Sequence, residues 1–250
     1  MDFNGRCAVV TGAAHGIGRA IAERLAGDGA NLCLMDRDGE TLEALAAALA
    51  SDERRVVPCA VDFLQPAQVQ AAFERLPATL GHADILVNNV GHSLREAMAP
   101  FGEVPPAAWD LMLDVCLKPA MACAHHLIPG MKERRYGKIV NISSDSAFVG
   151  PRANAPYAAA KSGLIGFARA LARELAPFGI NVNTVAPGYI RTRAMAAHTP
   201  EQLAKVVADT PLGVIGEPQD IANAVAFFAS EQSRFVTGQT LIVNGGRWFN

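Results

Sequence analysis

Tyr157 and Lys161 stand four residues apart in the segment YAAAK, and Ser144 precedes the tyrosine by thirteen residues. In a helix, positions i and i+4 share one face, so the phenol and the ammonium point the same way. Since a nearby positive charge favours a phenolate, we expect Lys161 to lower the pKa of Tyr157 and to enable proton exchange with an alcohol or ketone. Ser144 follows an apolar run and would hydrogen-bond the same oxygen. YxxxK alone also occurs by chance in ordinary helices, so the interpretation depends on the rest of the chain.

A glycine-rich turn follows the apolar run Cys7 to Val10 and precedes a helical pattern that begins at Ile17. Strand, glycine turn and helix in this order form a cradle for phosphate, because glycines allow close approach and a helix N-terminus offers free N–H groups. The spacing is G-x-x-x-G-x-G, and a purely structural turn is the alternative. The residues that we expect to contact a pyrophosphate are Gly12, His15, Gly16, Ile17 and Gly18.

Asp36 ends a second apolar run, eighteen residues beyond Gly18. A carboxylate at this distance accepts hydrogen bonds from the adenosine ribose of NAD and repels the 2′-phosphate of NADP. Arg37 could attract that phosphate, but we expect Asp36 to dominate. Capping of the helix that starts near Glu40 is the alternative role for Asp36.

Together these segments resemble the short-chain dehydrogenase/reductase family along nearly the whole chain. The turn resembles the family's T-G-x-x-x-G-x-G, and Ser144, Tyr157 and Lys161 match its catalytic residues. The resemblance implies an NAD-dependent enzyme, NADP being the less favoured cofactor, and a homotetramer. It implies that Lys161 also holds the nicotinamide ribose. Further cofactor-contacting positions implied by the family motifs are Asp62, Asn89, Gly91, Pro187, Gly188, Ile190 and Thr192.

Cys116 stands where the family has a fourth catalytic residue, an asparagine on the long central helix. In the family this residue helps to hold a water that links the lysine to solvent, largely through its main-chain carbonyl at a helix kink. Cysteine keeps the carbonyl, and Pro119 could support the kink. We therefore expect a modified proton relay. An impaired, cofactor-binding relative without turnover, acting as a sensor or scaffold, is the alternative.

Alternating apolar runs and helical patterns predict one α/β domain over residues 1–250, a Rossmann-type, doubly wound, parallel seven-stranded sheet with helices on both faces. Residues 191–216 fit neither pattern well and are predicted to form a substrate lid. The predicted strands are 6–11, 31–36, 55–61, 84–89, 137–143, 180–186 and 240–244. The predicted helices are 17–28, 39–51, 66–80, 106–131, 156–176 and 218–230.

Composition narrows the function classes. Of 250 residues, 50% are hydrophobic, enough for a large core, and the net charge of −2 gives no basic field for nucleic acid. The N-terminal MDFNGR lacks the core of a signal peptide, and no uncharged apolar stretch is long enough to span a membrane. Five cysteines without a CxxC pair, and histidines without metal spacing, predict reduced thiols, no metal and a cytoplasmic location.

The predicted function is NAD-dependent interconversion of a secondary alcohol and a ketone, with Tyr157 as the acid/base. The aromatic and apolar character of the candidate pocket suits a small cyclic or aryl substrate. An aromatic cis-dihydrodiol dehydrogenase and a 3-oxoacyl-carrier reductase are the alternatives within the family. The candidate substrate residues are His92, Arg95, Ser146, Arg152, Asn154, Tyr189 and Met195.

Overall fold

One seven-stranded sheet organises the chain in the computed structural model, which describes residues 1–93, 98–196 and 198–249. All strand pairs are parallel, and the order is β3-β2-β1-β4-β5-β6-β7. This arrangement confirms the predicted fold class. The strands are β1 Cys7–Thr11, β2 Asn31–Asp36, β3 Val56–Ala60, β4 Ile85–Asn88, β5 Gly137–Ile142, β6 Ile180–Pro187 and β7 Thr240–Val243.

Helices cover both faces of the sheet because its central strands are apolar on both sides. The helices are α1 Gly16–Gly27, α2 Gly39–Leu49, α3 Pro66–Thr79, α4 Pro106–Cys116, α5 Lys118–Arg134, α6 Ser146–Val149, α7 Ala155–Leu175, α8 Pro200–Ala208 and α9 Pro218–Ala229. On one face α1, α2 and α9 enclose a core that contains Ile21, Leu42 and Val225. On the other, α3, α5 and α7 enclose a core that contains Phe73 and Leu127.

The predicted helix 106–131 is wrong as a single element, since α4 ends at Cys116 and α5 begins at Lys118. Pro119 lies in the first turn of α5 and has no N–H with which to continue the α4 hydrogen-bond ladder. The junction residue, Leu117, has φ −117° and ψ −54°, away from ideal helical values. The expected kink is therefore a break between two helices.

The described residues of the segment 191–216 form more regular structure than the sequence predicts. They include the 3₁₀ turn Arg193–Met195 and the helix α8. Thr199 and Gln202 form a reciprocal capping box at the start of α8, with Pro200 in its first turn. This T-P-E-Q signature is the sequence signal that could have identified the helix.

Within residues 106–134, which hold α4 and α5, an apolar window of 18 residues has a mean hydropathy of 1.3, high enough for a membrane-crossing helix. In the folded chain 39% of that apolar window is buried, with α4 against α7 and α5 against α3 and β4. A core helix of a soluble protein passes the same test, so this observation is weak evidence for a membrane segment. The absence of a membrane span remains a prediction.

The strand order reverses between β1 and β4, where successive connections leave in opposite directions along the sheet. Loops diverge at such a point and open a crevice at the carboxyl ends of the strands, where ligands of open α/β sheets bind. The glycine turn follows β1 there, and Asp36 ends β2 at the same edge.

Candidate active site

A cleft of about 870 Å³ opens at this edge of the sheet. It brings together most of the residues that the sequence singles out, although they come from the ends of six strands and from helix α7. The predicted residues that line it are Gly12, His15, Ile17, Asp36, Arg37, Asp62, Asn89, Gly91, His92, Ser144, Tyr157, Lys161, Pro187, Gly188, Tyr189, Ile190, Thr192 and Met195.

The glycine turn is shaped for close approach by a ligand. Gly12 has φ +65°, a conformation that side chains disfavour, and a Cβ on Gly18 would lie 2.0 Å from the Gly12 carbonyl oxygen. Asn89 Nδ2 donates to the carbonyls of Thr11 and Gly12 at 3.1 and 3.0 Å, which fixes the turn to the end of β4. The His15 side chain makes no cap on α1, so the helix N-terminus faces the cleft without a side-chain acceptor. The turn therefore fits a pyrophosphate.

Asp36 is held in place at the adjoining end of the cleft. Its carboxylate accepts hydrogen bonds from the backbone N–H of Ala14 at 3.1 Å and of Asp38 at 3.2 Å. Asp38 caps α2 through Thr41, so the alternative role of helix cap belongs to Asp38 and not to Asp36. This geometry leaves Asp36 available to a ribose.

Asp38 is a cleft residue that sequence reasoning missed. Hydrogen bonds from Thr41 and His15 lower the pKa of Asp38 to about 2, so it is ionised at neutral pH. His15 Nε2 lies 2.7 Å from Asp38 Oδ2, and the Arg193 guanidinium contacts the His15 ring. His15 thus links the loop after β2 to the 3₁₀ turn Arg193–Met195. The position of His15 inside the glycine turn is the sequence feature that could have indicated this contact.

Ser144, Tyr157 and Lys161 converge in the cleft, as the spacing predicts. Ser144 hydrogen-bonds to Tyr157, and its Oγ accepts the Ser146 N–H at 3.1 Å. Lys161 is 3% exposed, and its Nζ donates to the Ile142 carbonyl at 2.8 Å and lies 5.8 Å from the centroid of the Tyr157 ring. The end of β5 and one face of α7 therefore position all three groups.

The expectation of a lowered Tyr157 pKa is wrong for the protein alone, because burial outweighs the charge of Lys161. Burial raises the pKa of Tyr157 above its usual value, Cys116 and Asp145 raise it further, and only the hydrogen bond from Ser144 lowers it. Burial also lowers the pKa of Lys161. Both shifts have one physical reason: a site shielded from water disfavours the charged form of either group.

Cys116 lies behind the cleft, not in its lining. It is 1% exposed and packs in a small apolar cluster with Met112, Ala160 and Tyr157. Its thiol donates to the His92 carbonyl at 3.3 Å. The side chain thus has a packing role of its own, beyond the main-chain carbonyl that the family comparison emphasises.

We expect Cys116→Ala to keep turnover within about tenfold of wild type, because the backbone at the helix break is unchanged. Cys116→Asn should cost more, since it places a second polar atom in an apolar cluster, with a penalty of about 1–3 kcal/mol. Steady-state kinetics and thermal denaturation of both variants test this difference. A large gain of activity in Cys116→Asn alone would instead indicate that the native site is impaired.

The substrate predictions are corrected in part. His92, Tyr189 and Met195 line the cleft, whereas Ser146, Arg152 and Asn154 do not. Ser146 is the first residue of α6, Arg152 is exposed in the loop that follows, and Asn154 is the buried N-cap of α7. Arg95 lies outside the described residues. Besides Asp38, the residues that line the cleft and that sequence reasoning missed are Val61, Phe63 and Leu64 after β3, Val90 after β4, Leu111, Asp114 and Val115 on α4, Ile142 and Ser143 at the end of β5, and Arg193 and Ala194 in the segment after β6.

The cysteines and the potential metal ligands lie partly outside the cleft. All five cysteines are free thiols. Within the described residues, Cys7, His82 and Asp84 bring potential metal ligands within 4.8 Å of one another, at the sheet edge opposite the cleft. Asp84 Oδ2 there accepts the Cys7 N–H at 3.1 Å and lies 3.2 Å from His82 Nε2. The prediction of no metal remains untested.

Comparison with known proteins gives consistent matches over nearly the full length. A family model described as Enoyl-(Acyl carrier protein) reductase matches residues 12–247. The 3-oxoacyl-[acyl-carrier-protein] reductase FabG of Escherichia coli K12 is 38% identical over 248 residues, 99% of each chain. The (2S)-[(R)-hydroxy(phenyl)methyl]succinyl-CoA dehydrogenase subunit BbsD of Thauera aromatica is 39% identical over 99% of this chain and 98% of the relative.

A solved structure agrees with these sequence matches. The 3-oxoacyl-[acyl-carrier protein] reductase with bound NAD from Brucella melitensis has a TM-score of 0.89 and 36% identity. The match covers 97% of this chain and 91% of that one.

Proposed function

Because this chain belongs to the short-chain dehydrogenase/reductase family, oxidoreductases that use a nicotinamide cofactor on alcohol and keto groups, we propose that it interconverts 3-hydroxyacyl and 3-oxoacyl thioesters with NAD. The observation that carries the reaction type is the convergence of Ser144, Tyr157 and Lys161 beside the glycine turn in one cleft. The family membership supports the reaction type, and we propose the thioester substrate and the preference for NAD in addition.

The residues present fit a dinucleotide. The glycine turn and the start of α1 would hold the pyrophosphate, and Asp36 would accept hydrogen bonds from the adenosine ribose. Lys161 would hold the nicotinamide ribose hydroxyls, with Pro187, Gly188, Ile190 and Thr192 beside the ring. When bound, NAD supplies the hydride acceptor and NADH the hydride donor.

The protein's own contribution is to move a proton and to hold the reacting oxygen. Tyr157 takes the hydroxyl proton during oxidation and returns it during reduction. Ser144 donates a hydrogen bond to the substrate oxygen and keeps it within reach of the phenol. Lys161 supplies the positive charge that favours the phenolate, against the burial that opposes it. Apolar side chains at this end of the cleft, Leu111, Val115, Tyr189 and Met195, exclude water and accommodate an acyl chain.

Support for a thioester substrate comes from the names of two relatives. One is a reductase of 3-oxoacyl groups on an acyl carrier protein, and the other is a dehydrogenase of a hydroxy(phenyl)methyl succinyl-CoA. Both names favour a carrier-linked substrate over a small cyclic alcohol. The substrate named for the second relative also contains a phenyl group. The site is a cleft at the edge of the sheet, so an acyl group could enter it while the attached CoA or carrier protein stays outside.

The test is a substrate panel under identical conditions. Acetoacetyl-CoA with NADH, 3-hydroxybutyryl-CoA with NAD, cyclic secondary alcohols and an aromatic cis-dihydrodiol are compared by kcat/KM while the reduced cofactor is followed by absorbance. We expect the thioesters to have the highest kcat/KM. A higher value for a cyclic alcohol or dihydrodiol refutes the thioester proposal. NAD binding without turnover on any substrate supports a scaffold instead.

NAD should be preferred over NADP at least tenfold in kcat/KM. A 2′-phosphate would lie beside the carboxylates of Asp36 and Asp38, while Arg37 is exposed. Asp36→Ala should lower the ratio of kcat/KM with NAD to kcat/KM with NADP by about tenfold, equivalent to about 1.4 kcal/mol. Kinetics with both cofactors measure it, with Asp209→Ala, which removes an exposed carboxylate outside the cleft lining, as the control. Equal efficiency of wild type with NADP contradicts the prediction.

The chain should form a homo-oligomer, with a tetramer as the expected state. Leu164 and Ala168 on α7 are each 1% exposed and belong to the core of one chain, so they are not available to an interface. Trp109 on α4 and Met121 on α5 are instead exposed outside the cleft lining, so we expect this face to be covered. Light scattering should give about four times 26.4 kDa, and Met121→Glu should reduce that mass. A wild-type monomer at micromolar concentration excludes the prediction.

A further inference from the structure

Asp145 is a buried carboxylate that directly follows the catalytic Ser144. It is 3% exposed, and its backbone N–H donates to the Pro187 carbonyl at 2.8 Å. Its Oδ2 accepts a hydrogen bond from Arg247 Nη1 at 2.8 Å, and the Arg247 side chain is 19% exposed. An arginine from the C-terminal tail therefore compensates a charge next to the reaction centre, across about a hundred residues of sequence.

Arg247 also reaches the cleft wall. Its guanidinium carbon lies 4.6 Å from the centroid of the Tyr189 ring, and Tyr189 lines the cleft. The tail that carries it is tied to the end of the lid: Leu212 N–H donates to the Gly245 carbonyl at 3.0 Å, and a Cβ on Gly245 would lie 2.5 Å from Thr210 Cγ2. The tail thus contacts the lid, the cleft wall and the serine loop at once.

We propose that Arg247 is a positioning residue for the alcohol–ketone reaction, which neutralises Asp145 beside Ser144 and Tyr157 and fixes Tyr189 against the tail. This inference rests on the proposed reaction type. It does not depend on which alcohol is the substrate.

The charges around Tyr157 give this arrangement a measurable consequence. Lys161 approaches the phenol from α7, Cys116 from α4, and Asp145 and Ser144 from the segment after β5. Asp145 itself faces Arg247, the Asn244 side chain and the Ser146 N–H. A negative Asp145 raises the pKa of Tyr157, and Arg247 offsets that charge.

The pair of Asp145 and Arg247 therefore predicts that removing one charge or the other shifts the pKa of the catalytic base in opposite directions. Arg247→Met leaves Asp145 uncompensated and should raise the apparent pKa of the catalytic base by about half to one pH unit. Asp145→Asn leaves Arg247 unpaired and should lower it by a similar amount. The double variant removes both charges and should return near wild type. Arg247→Lys, which keeps the charge, should also remain near wild type.

Two readouts measure this shift. The first is the pH profile of kcat/KM for alcohol oxidation. The second is the ultraviolet absorbance of tyrosinate against pH, as the difference between each variant and the same variant carrying Tyr157→Phe. Arg19→Met is the matched control, because it breaks the exposed pair of Arg19 with Glu23 on α1, outside the cleft lining, and should shift neither readout.

Shifts of opposite sign in the single variants, cancelled in the double variant, support the proposal. Equal profiles, or shifts of the same sign, overturn it, because a role in stability alone lowers activity without reversing a pKa. If Arg247→Met does not fold, as judged by circular dichroism, Asp145→Asn must still lower the base pKa and the double variant must restore it. The tyrosinate titration needs no turnover, so an inactive wild type refutes the proposed function and leaves this test in force.

Discussion

Replacing Tyr157 with phenylalanine should lower kcat about a thousandfold or more, equivalent to about 4 kcal/mol of barrier. The change removes the one hydroxyl that exchanges a proton with the substrate and leaves the ring in its apolar cluster with Met112 and Ala160. Affinity for NAD should stay within about threefold of wild type, because the glycine turn and Asp36 are untouched. Steady-state kinetics and calorimetric titration of NAD measure the two quantities.

Tyr136→Phe is the matched control. Tyr136 hydroxyl donates to Glu231 at 2.6 Å and lies outside the cleft lining, so its loss should leave kcat unchanged. If Tyr157→Phe keeps turnover within tenfold of wild type, the phenol is not the acid/base. Loss of NAD affinity to the same extent as turnover would point to a structural effect instead.

Replacing Lys161 with alanine should damage both turnover and cofactor affinity. The ammonium is buried, donates to the Ile142 carbonyl and supplies the positive charge nearest the Tyr157 ring among the cation contacts of the described residues. We expect kcat to fall at least about a hundredfold, about 2.7 kcal/mol, and the Kd of NAD to rise about tenfold. The same kinetic and calorimetric measurements apply.

Lys138→Ala separates this role from the general cost of losing a buried lysine. Lys138 is 2% exposed, and its Nζ donates to Asn181 Oδ1 at 2.8 Å at the edge of the sheet opposite the cleft. Its loss should lower the free energy of unfolding without changing the Kd of NAD. If Lys161→Ala has the same NAD affinity and turnover as Lys138→Ala, Lys161 has no specific role in catalysis or cofactor binding.

Much of the site was predictable because its residues lie at fixed offsets within single elements. Tyr157 and Lys161 share a face of α7, and Gly12, Gly16 and Gly18 lie in one strand-to-helix turn, so local geometry sets their relation. The predicted bounds of all seven strands lie within one residue of the observed ones, since apolar runs in a parallel sheet are buried on both faces. Helix α8 was missed although its capping box was present in the sequence.

Local spacing in the chain therefore specifies the element order, the reaction type and the glycine turn. The relations between distant segments depend on the assembled fold. Arg247 reaches Asp145 and His15 reaches Asp38 because loops from separate strands meet at one sheet edge, and no spacing in the chain encodes such a contact. Burial is likewise a property of the assembled fold. It reversed the expected direction of the Tyr157 pKa, because the packing that places Lys161 nearby also excludes the water that would stabilise a phenolate.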